Sequence, residues 1–212
     1  MLEVERDGDT NQVLLRGWLD EPIRFDHQME YAAIYKTVLR IERKPGVVDK
    51  IPLHIKENKL AILNVKPRVG DYMEISGLFY SQDVYFENEK RGIENYVYVS
   101  KIRFCDYRVS STNEIHLTGE ISRCGKTRKT RKDDTLIDFL LKVRRKNHRI
   151  SKIPCFVWGV YNSSKIESAG VGAKLELTGR VQDRQYFKKE NGVEVSKTVY
   201  EVCVTDFEIK DV

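Results

Sequence analysis

Residues 123–132, RCGKTRKTRK, are the part of the chain whose residue types point most directly to chemistry: six of the ten are Arg or Lys and none is acidic. Gly125, Lys126 and Thr127 could end a phosphate-binding loop, in which backbone amides and a lysine hold a nucleotide triphosphate. Such a loop needs a first glycine five residues before Gly125, and that position is Glu120. The spacing therefore excludes a nucleotide loop and leaves a solvated basic loop or a surface that binds nucleic acid.

The remaining reactive residue types predict neither a metal site nor an enzyme. The four cysteines, Cys105, Cys124, Cys155 and Cys203, form no Cys-x-x-Cys pair, and the four histidines do not cluster with them. Zinc sites need closely spaced ligand pairs, so we expect no metal and no cofactor. Cys155 lies in an alternating strand pattern, KIPCFVWG, and is interpreted as a small core residue. No Ser-His-Asp or Cys-His arrangement has usable spacing for catalysis.

The composition is that of a soluble chain large enough for one large domain or two domains of about 100 residues. Of the 212 residues, 33% are charged and 41% are apolar. No apolar run approaches the roughly 18 residues that a membrane span requires. The N-terminal MLEVERDGDTNQ lacks the basic start and apolar stretch of a secretory signal, so we expect a cytoplasmic protein without membrane contact.

The two halves of the chain repeat one pattern at an offset of 102 positions. NQVLLRG at residues 11–17 returns as NEIHLTG at residues 113–119, and KIP at residues 50–52 returns at residues 152–154. Two further blocks around residues 39–43 and 70–77 keep the same offset. Four blocks in one register predict tandem domains, residues 1–106 and residues 107–212.

Apolar residues alternate with period two through most of each copy, as in Val13 and Leu15 or in Phe139, Leu141 and Val143, which is the signature of strands. ENKLAILNV and SSKIESAG predict a short helix between the third and fourth strands, and ENG at residues 190–192 predicts a hairpin tip. The predicted fold class is all-β, with two tandem OB-folds, each a five-stranded Greek-key barrel with a short helix after strand three.

Both copies resemble the OB domain of bacterial single-stranded DNA-binding proteins (SSB), including the primosomal relative PriB. Shared features are the Asn-x-Val-x-Leu-x-Gly strand at residues 113–119, the alternating FLLKVRR, the aromatic and glycine pair Trp158 and Gly159, and GAKLELTGRV before a long hairpin. The resemblance implies base stacking by Trp158 and by Tyr186, which lies seven residues after Gly179. The equivalent positions of the first copy are Lys56 and Val84, which weakens stacking there.

Three basic segments flank the predicted binding face of the second copy. They are the loop between strands one and two, the turn RRKNHR at residues 144–149, and the long hairpin. Residues 107–212 hold 21 Lys or Arg against 14 Asp or Glu, a net charge of +7, whereas residues 1–106 have a net charge of −2. Cations beside aromatic rings suit an unpaired strand. The predicted nucleic-acid-binding residues are Arg123, Lys126, Arg128, Lys129, Arg131, Lys132, Lys142, Arg144, Arg145, Lys146, Arg149, Phe156, Trp158, Tyr186, Lys188 and Lys189.

The first copy is expected to dimerise or to contact a partner protein, because its loop after strand one is acidic and its hairpin is rich in aromatic residues. The aromatic residues of this hairpin are Tyr80, Tyr85, Phe86, Tyr96 and Tyr98. Weaker DNA binding by the first copy is the alternative. The resemblance implies sets of four OB units, so a two-unit chain is expected to form a homodimer.

We interpret the whole as a non-enzymatic single-stranded DNA-binding protein acting in replication or replication restart, with replication proteins as possible partners. Two alternatives stay open: a replication-complex adaptor that mainly binds proteins, and an RNA-binding OB-fold protein. SSB proteins usually carry a Gly- and Pro-rich tail with an acidic tip, and no such segment follows YEVCVTDFEIKDV, which favours a PriB-like accessory or a protein of a mobile element.

Overall fold

The structure is a computed structural model that describes residues 9–29, 31–85, 91–130, 132–145, 149–190 and 193–210. Of residues 84, 85, 91, 187–190 and 193 it describes the backbone alone. Strands account for most of this part of the chain, and the described elements alternate in the same order in both sequence copies.

In the described residues, each copy contains six strand segments and one helix. The first copy forms β1 (Asn11–Leu19), β2 (Arg24–Met29), β3 (Ala32–Lys44), β4 (Val47–Lys56), α1 (Glu57–Ala61), β5 (Tyr72–Tyr85) and β6 (Arg91–Phe104). The second forms β7 (Thr112–Cys124), β8 (Arg128–Lys129), β9 (Thr135–Arg144), β10 (Ile150–Trp158), α2 (Val160–Ala169), β11 (Lys174–Glu190) and β12 (Val193–Lys210). The five long strands and the helix of each copy confirm the predicted fold class.

The five long strands of each copy close into a Greek-key barrel. In the first copy β1 pairs with both β3 and β5, β3 pairs with β4, β4 runs parallel to β6, and β6 pairs with β5. In the second copy β7, β9, β10, β12 and β11 repeat this cycle, with the same parallel pairing between β10 and β12. The sequence repeat is therefore a repeat of strand register, since Leu39 pairs with Ile51 and Leu141 pairs with Ile153.

The barrel interiors hold the alternating apolar residues that the sequence pattern predicts. In the second barrel these include Ile115, Leu117, Phe139, Leu141, Val143, Ile153, Cys155, Leu175, Leu177 and Val202, all buried. Burial of Cys155 confirms that it is a small core residue. Ile166 of α2 is fully buried, and α2 packs on β9 and β10.

Two glycines per copy, Gly17 and Gly77 in the first and Gly119 and Gly179 in the second, permit neighbouring strands to approach closely. A Cβ at Gly17 would meet the carbonyl oxygen of Arg40, and one at Gly119 would meet that of Lys142. A Cβ at Gly179 would likewise run into the backbone of Cys203 and Val204. The glycines of the repeated motif thus mark the contacts that close each barrel.

The boundaries between the two compact units of the structure fall within four strands, β1, β7, β11 and β12. The N-terminal barrel unit comprises Gln12–Glu114 and Val181–Glu201, and the C-terminal barrel unit comprises Met1–Asn11, Ile115–Arg180 and Val202–Val212. The outer part of the β11–β12 hairpin therefore belongs to the unit that contains the first barrel. Within this unit the Asn95 side chain donates to the Tyr200 carbonyl at 3.0 Å, and Asp183 accepts from the Lys50 amide at 3.0 Å.

The edge strands β2 and β8 lie in segments that the sequence pattern assigned to loops. β2 pairs with β3 with a bulge between Phe25 and His27, and β8 pairs with β9. Their side chains are mostly exposed, so these strands lack the alternation of apolar residues that would predict them from the sequence. We call residues 123–132 the basic segment. The pairing of β8 holds Arg128 and Lys129 of this segment against the barrel.

We expect Gly179→Ala to lower the free energy of unfolding by about 1–3 kcal/mol, because the added methyl group must displace backbone rather than a movable side chain. The urea midpoint of the full chain measures this. Thr178→Ser, at the adjacent exposed position, is the control and should change stability by less than about 0.5 kcal/mol. Equal midpoints for both variants would contradict the close strand contact.

Candidate nucleic-acid interface

The outer face of β9 and β10 presents the residues that alternate with the barrel interior. Leu136 lies opposite Trp158, Asp138 opposite Phe156, and Leu140 opposite Pro154. Residues that face each other across antiparallel strands project to the same side of a sheet, so these six form one surface. We call them the β9–β10 face. The alternation that fills the barrel thus also determines which side chains lie outside it.

Trp158 is the exposed aromatic residue of this face. Its exposed fraction is 41%, whereas that of Phe156 is 4%. The two rings meet edge to face, with centroids 5.7 Å apart and an interplanar angle of 89°. The prediction that Phe156 contacts a base does not fit this burial. Phe156 instead supports the indole of Trp158, which keeps exposed surface available for a flat ligand.

Arg128 lies in the same cross-strand row as Trp158. It pairs with Leu136 in the β8–β9 ladder, and Leu136 pairs with Trp158 in the β9–β10 ladder. The Arg128 guanidinium donates to Asp138 Oδ2 from Nε at 3.0 Å and from Nη2 at 2.7 Å. This ion pair, in which two guanidinium nitrogens donate to one carboxylate oxygen, holds Arg128 beside the aromatic face with about half of its side chain exposed.

Other residues of the basic segment are exposed around this row. Lys129 donates to Asp133 Oδ1 at 2.7 Å, and Thr127 Oγ1 donates to Glu167 Oε2 at 2.5 Å, which ties the segment to α2. Arg123, Lys126 and Lys132 are exposed and have no acidic partner among the residues that the structure describes. Arg131 lies outside the described residues.

Lys142 and Arg144 lie at the other end of β9. Lys142 lies six positions after Leu136, which corresponds to about 20 Å along a strand. Lys142 faces Glu120 at 4.0 Å, and Arg144 faces Asp9 at 3.7 Å. The structure therefore does not bring these two cations to Trp158.

A small cavity of about 120 Å³ lies at this far end of β9. It is lined by Asp9, Thr118, Gly119, Glu120, Lys142, Arg144, Lys174, Leu175 and Lys210. Lys174 and Lys210 escape sequence reasoning because neither belongs to a basic run. Lys142, Arg144 and Lys210 each already face a carboxylate, and for Lys210 this is Glu176 at 2.9 Å.

The remaining basic turn is only partly described. Arg145 donates from Nε to Ser151 Oγ at 2.8 Å, and its backbone amide donates to the Arg149 carbonyl at 2.8 Å. These contacts give Arg145 a role in shaping the turn, while Arg149 is exposed. Lys146 lies outside the described residues.

Tyr186 belongs to the N-terminal barrel unit, not to the unit that contains Trp158. Its exposed fraction is 38%, and the Arg184 guanidinium lies 5.9 Å from its ring centroid. Arg184 also forms a bidentate pair with the buried carboxylate of Glu201, at 2.8 Å and 2.9 Å. The side chains of Lys188 and Lys189 lie outside the described part of the hairpin.

The corresponding face of the N-terminal barrel unit has a different chemistry. His54 occupies the position of Phe156 and is buried, and its ring stacks on Tyr96 with centroids 3.6 Å apart. Tyr80 stacks on Tyr98 at 5.4 Å, and Lys56, in the position of Trp158, lies over the Tyr98 ring at 5.9 Å. The tyrosines expected at a protein interface therefore contact one another within this unit. The side chains of Tyr85 and Phe86 are outside the described set.

The fold and the β9–β10 face define a class of protein, an OB-fold module with an exposed aromatic residue and a basic rim. Residues 112–210 match the sequence model of the Single-strand binding protein family. The match covers the C-terminal copy, which is somewhat less than half of the chain, and the first copy lies outside it.

The whole chain shares its fold with the single-stranded DNA-binding protein of Thermus aquaticus. The wild-type structure aligns with a TM-score of 0.74 and 17% identity, over 96% of this chain and 94% of that chain. A deletion mutant of the same protein aligns with a TM-score of 0.73 and 17% identity, over 97% and 96%. A comparison with curated proteins found no match.

In the part of the chain that the structure describes, neither helix has the length and apolar character needed to span a membrane. Within the same ranges, no group of three or more His, Cys, Asp or Glu side chains is arranged to hold a metal ion.

We expect the N-terminal barrel unit to lose stability in mild acid through His54. Burial, together with the nearby charge of Lys36, lowers the pKa of His54 from 6.5 to about 4. Between these values the unfolded chain binds a proton that the folded chain does not, so the free energy of unfolding falls as the pH drops from about 6.5 towards 4, by up to about 3 kcal/mol.

His54→Phe tests this expectation, because Phe156 fills the equivalent position of the other barrel. Urea unfolding at pH 7 and pH 4.5 should show a smaller acid loss for this variant than for the wild type. His116→Gln, at a half-exposed position of the other unit, should retain the wild-type difference. An unchanged acid loss in His54→Phe would show that other groups cause it.

Proposed function

We propose that the protein binds single-stranded DNA with little sequence preference, acts in DNA replication or replication restart, and catalyses no reaction. The observation that supports this most directly is the cross-strand row in which Arg128 and the exposed Trp158 flank Leu136. The family match of the C-terminal copy and the shared fold with a single-stranded DNA-binding protein support the same proposal.

The row offers the two kinds of contact that an unpaired strand needs. An unstacked base can lie on the indole of Trp158, and each base stacked on an aromatic ring contributes about 1–3 kcal/mol. The phosphates can bind the cations beside this indole, because an ion pair between a phosphate and a Lys or Arg side chain tolerates many geometries. Stacking tolerates every base, so we expect sequence preference to be weak.

The binding residues we propose for this face are Trp158 and the exposed cations of the basic segment. Arg123, Lys126, Arg128, Lys129 and Lys132 would contact phosphates, and Phe156 would support the indole from beneath. Lys142 and Arg144 would contact a more distant part of the DNA strand, since Lys142 lies about 20 Å from this row along β9 and Arg144 lies further still.

A homodimer with four OB units, and contacts with replication proteins, are further parts of the proposal. The N-terminal barrel unit would contribute to them, because its face carries Lys56 where the other barrel carries the exposed Trp158. Size-exclusion chromatography with light scattering of the full chain would measure the oligomeric state.

Trp158→Ala should weaken binding of oligo-dT by roughly 5- to 150-fold, because it removes one stacking contact. Fluorescence anisotropy with a labelled oligonucleotide measures the affinity, with Val171→Ala as the control at an exposed apolar position of the same unit. If about five phosphates are neutralised, log K of the wild type falls with log salt at a slope near −3.5. Binding that does not depend on salt, or equal binding of duplex and single strand, would refute the proposal. Oligo-U of the same length would reveal a preference for RNA.

Asp138→Asn should strengthen binding of the same oligonucleotide and make the salt slope steeper by up to about 0.7, since the Arg128 guanidinium then faces phosphate without a competing carboxylate. Glu114→Gln removes an equal charge at an exposed position of the other unit and serves as the control. Equal gains in both variants would show an effect of net charge alone. Weaker binding by Asp138→Asn would mean that the ion pair must hold Arg128 in place.

A further inference from the structure

An exposed apolar segment continues beyond Trp158 into the first turn of α2. Val160 and Tyr161 have exposed fractions of 67% and 72%, so most of each side chain faces solvent. Gly159, which separates them from Trp158, has a φ of 96°, a conformation that suits glycine and turns the chain from β10 into the helix. Three large apolar side chains within four residues therefore remain unburied at the edge of the β9–β10 face.

Lys165 contacts the Tyr161 ring from the next turn of α2. Its ammonium lies 5.2 Å from the centroid of Tyr161 and 5.7 Å from that of Phe207 in β12. Residues four apart on a helix are neighbours, so this contact orients the Tyr161 ring and places a positive charge beside it. The exposed fraction of Tyr161 shows that most of its ring remains accessible.

Phe207 locates this cluster in the barrel. β12 runs parallel to β10, with Val204 beside Val157, so the residues that follow Val204 and Val157 extend towards the same end of the barrel. Trp158, Tyr161 and Phe207 all belong to the C-terminal barrel unit. The contact between α2 and β12 through Lys165 therefore holds Tyr161 at the end of the barrel where Trp158 is exposed.

On the basis of the proposed function, we infer that Tyr161 is a second base-stacking residue of the C-terminal barrel unit, beside Trp158. One base stacks on the indole of Trp158, and the next base along the strand stacks on the phenol ring of Tyr161. Lys165 then faces the phosphate that joins these two nucleotides. The basic segment is tied to the same helix through the Thr127 and Glu167 contact, so cations and rings share one edge. Tyr161 carries no charge and belongs to no basic run, which is why sequence reasoning passed over it.

The experiment compares two ligands of equal length, oligo-dT and an abasic single strand that keeps the phosphates and lacks bases. Tyr161→Ala in the full chain should weaken oligo-dT binding by roughly 5- to 150-fold and leave abasic binding unchanged, because stacking requires a base. Tyr161→Phe keeps the ring and should bind both ligands as the wild type does. Tyr107→Ala, which removes an equally exposed tyrosine in the other unit, is the control.

The outcomes separate this inference from the proposed function. If Trp158→Ala weakens oligo-dT binding and Tyr161→Ala does not, the inference is wrong and the function stands. A wild type that binds oligo-dT no better than the abasic strand overturns base stacking altogether. A loss that is equal for both ligands in Tyr161→Ala also overturns the inference, provided that the thermal unfolding midpoint matches the wild type.

Discussion

The register between β9 and β10 is the constraint on which the candidate interface depends. In a strand, side chains alternate between the two faces, so a shift of one residue would exchange Trp158 with the buried Val157. The interior side chains prevent such a shift, because Ile137, Phe139 and Leu141 fill the barrel opposite Val157, Cys155 and Ile153. The parallel pairing of β10 with β12 supports the same register from the other edge. Exposure of the indole is therefore a consequence of how the core packs.

Comparison of the two barrels shows how one framework can carry two surfaces. The interior positions and the glycines at the strand crossings correspond at the same offset, since these positions decide whether the barrel closes. Outside the barrel the constraint is weaker, and the position of Trp158 is Lys56 in the first copy. His54 shows that even a supporting position can change, because stacking on Tyr96 compensates for part of the cost of burying an imidazole.

Much of this architecture could be predicted from the sequence, because repetition and period-two alternation report on the core directly. The offset of 102 predicted two barrels of like register, and the alternation in residues 139–143 separated Leu141 from Lys142 correctly. Burial of Phe156 could not be predicted, since alternation places it on the outer face and says nothing about what covers it there. The edge strand at Arg128 was also missed, because strands of two exposed residues carry no pattern.

The packing of the long β11–β12 hairpin could not be predicted from the sequence for a different reason. Val181–Glu201 continues the strands of the second barrel yet belongs to the N-terminal barrel unit, where Asn95, Lys50 and Asn113 make hydrogen bonds to it. Periodicity identifies a strand but not the unit against which its far end packs. Long strands can extend beyond the barrel that they help to close, and polar side chains such as Asn113 then determine where the extension lies.

Carboxylates offset the repulsion among the closely spaced cations of the basic segment. Without such partners, neighbouring cations would repel one another. Asp138 and Asp133 each hold one cation, and Glu167 holds the adjoining threonine, so Thr127, Arg128 and Lys129 are held beside Trp158. The same carboxylates compete with phosphate, which weakens binding. A face built in this way loses some affinity for phosphate but has a preorganised geometry. Base stacking benefits from that geometry, because few side chains remain to be ordered when the DNA strand binds.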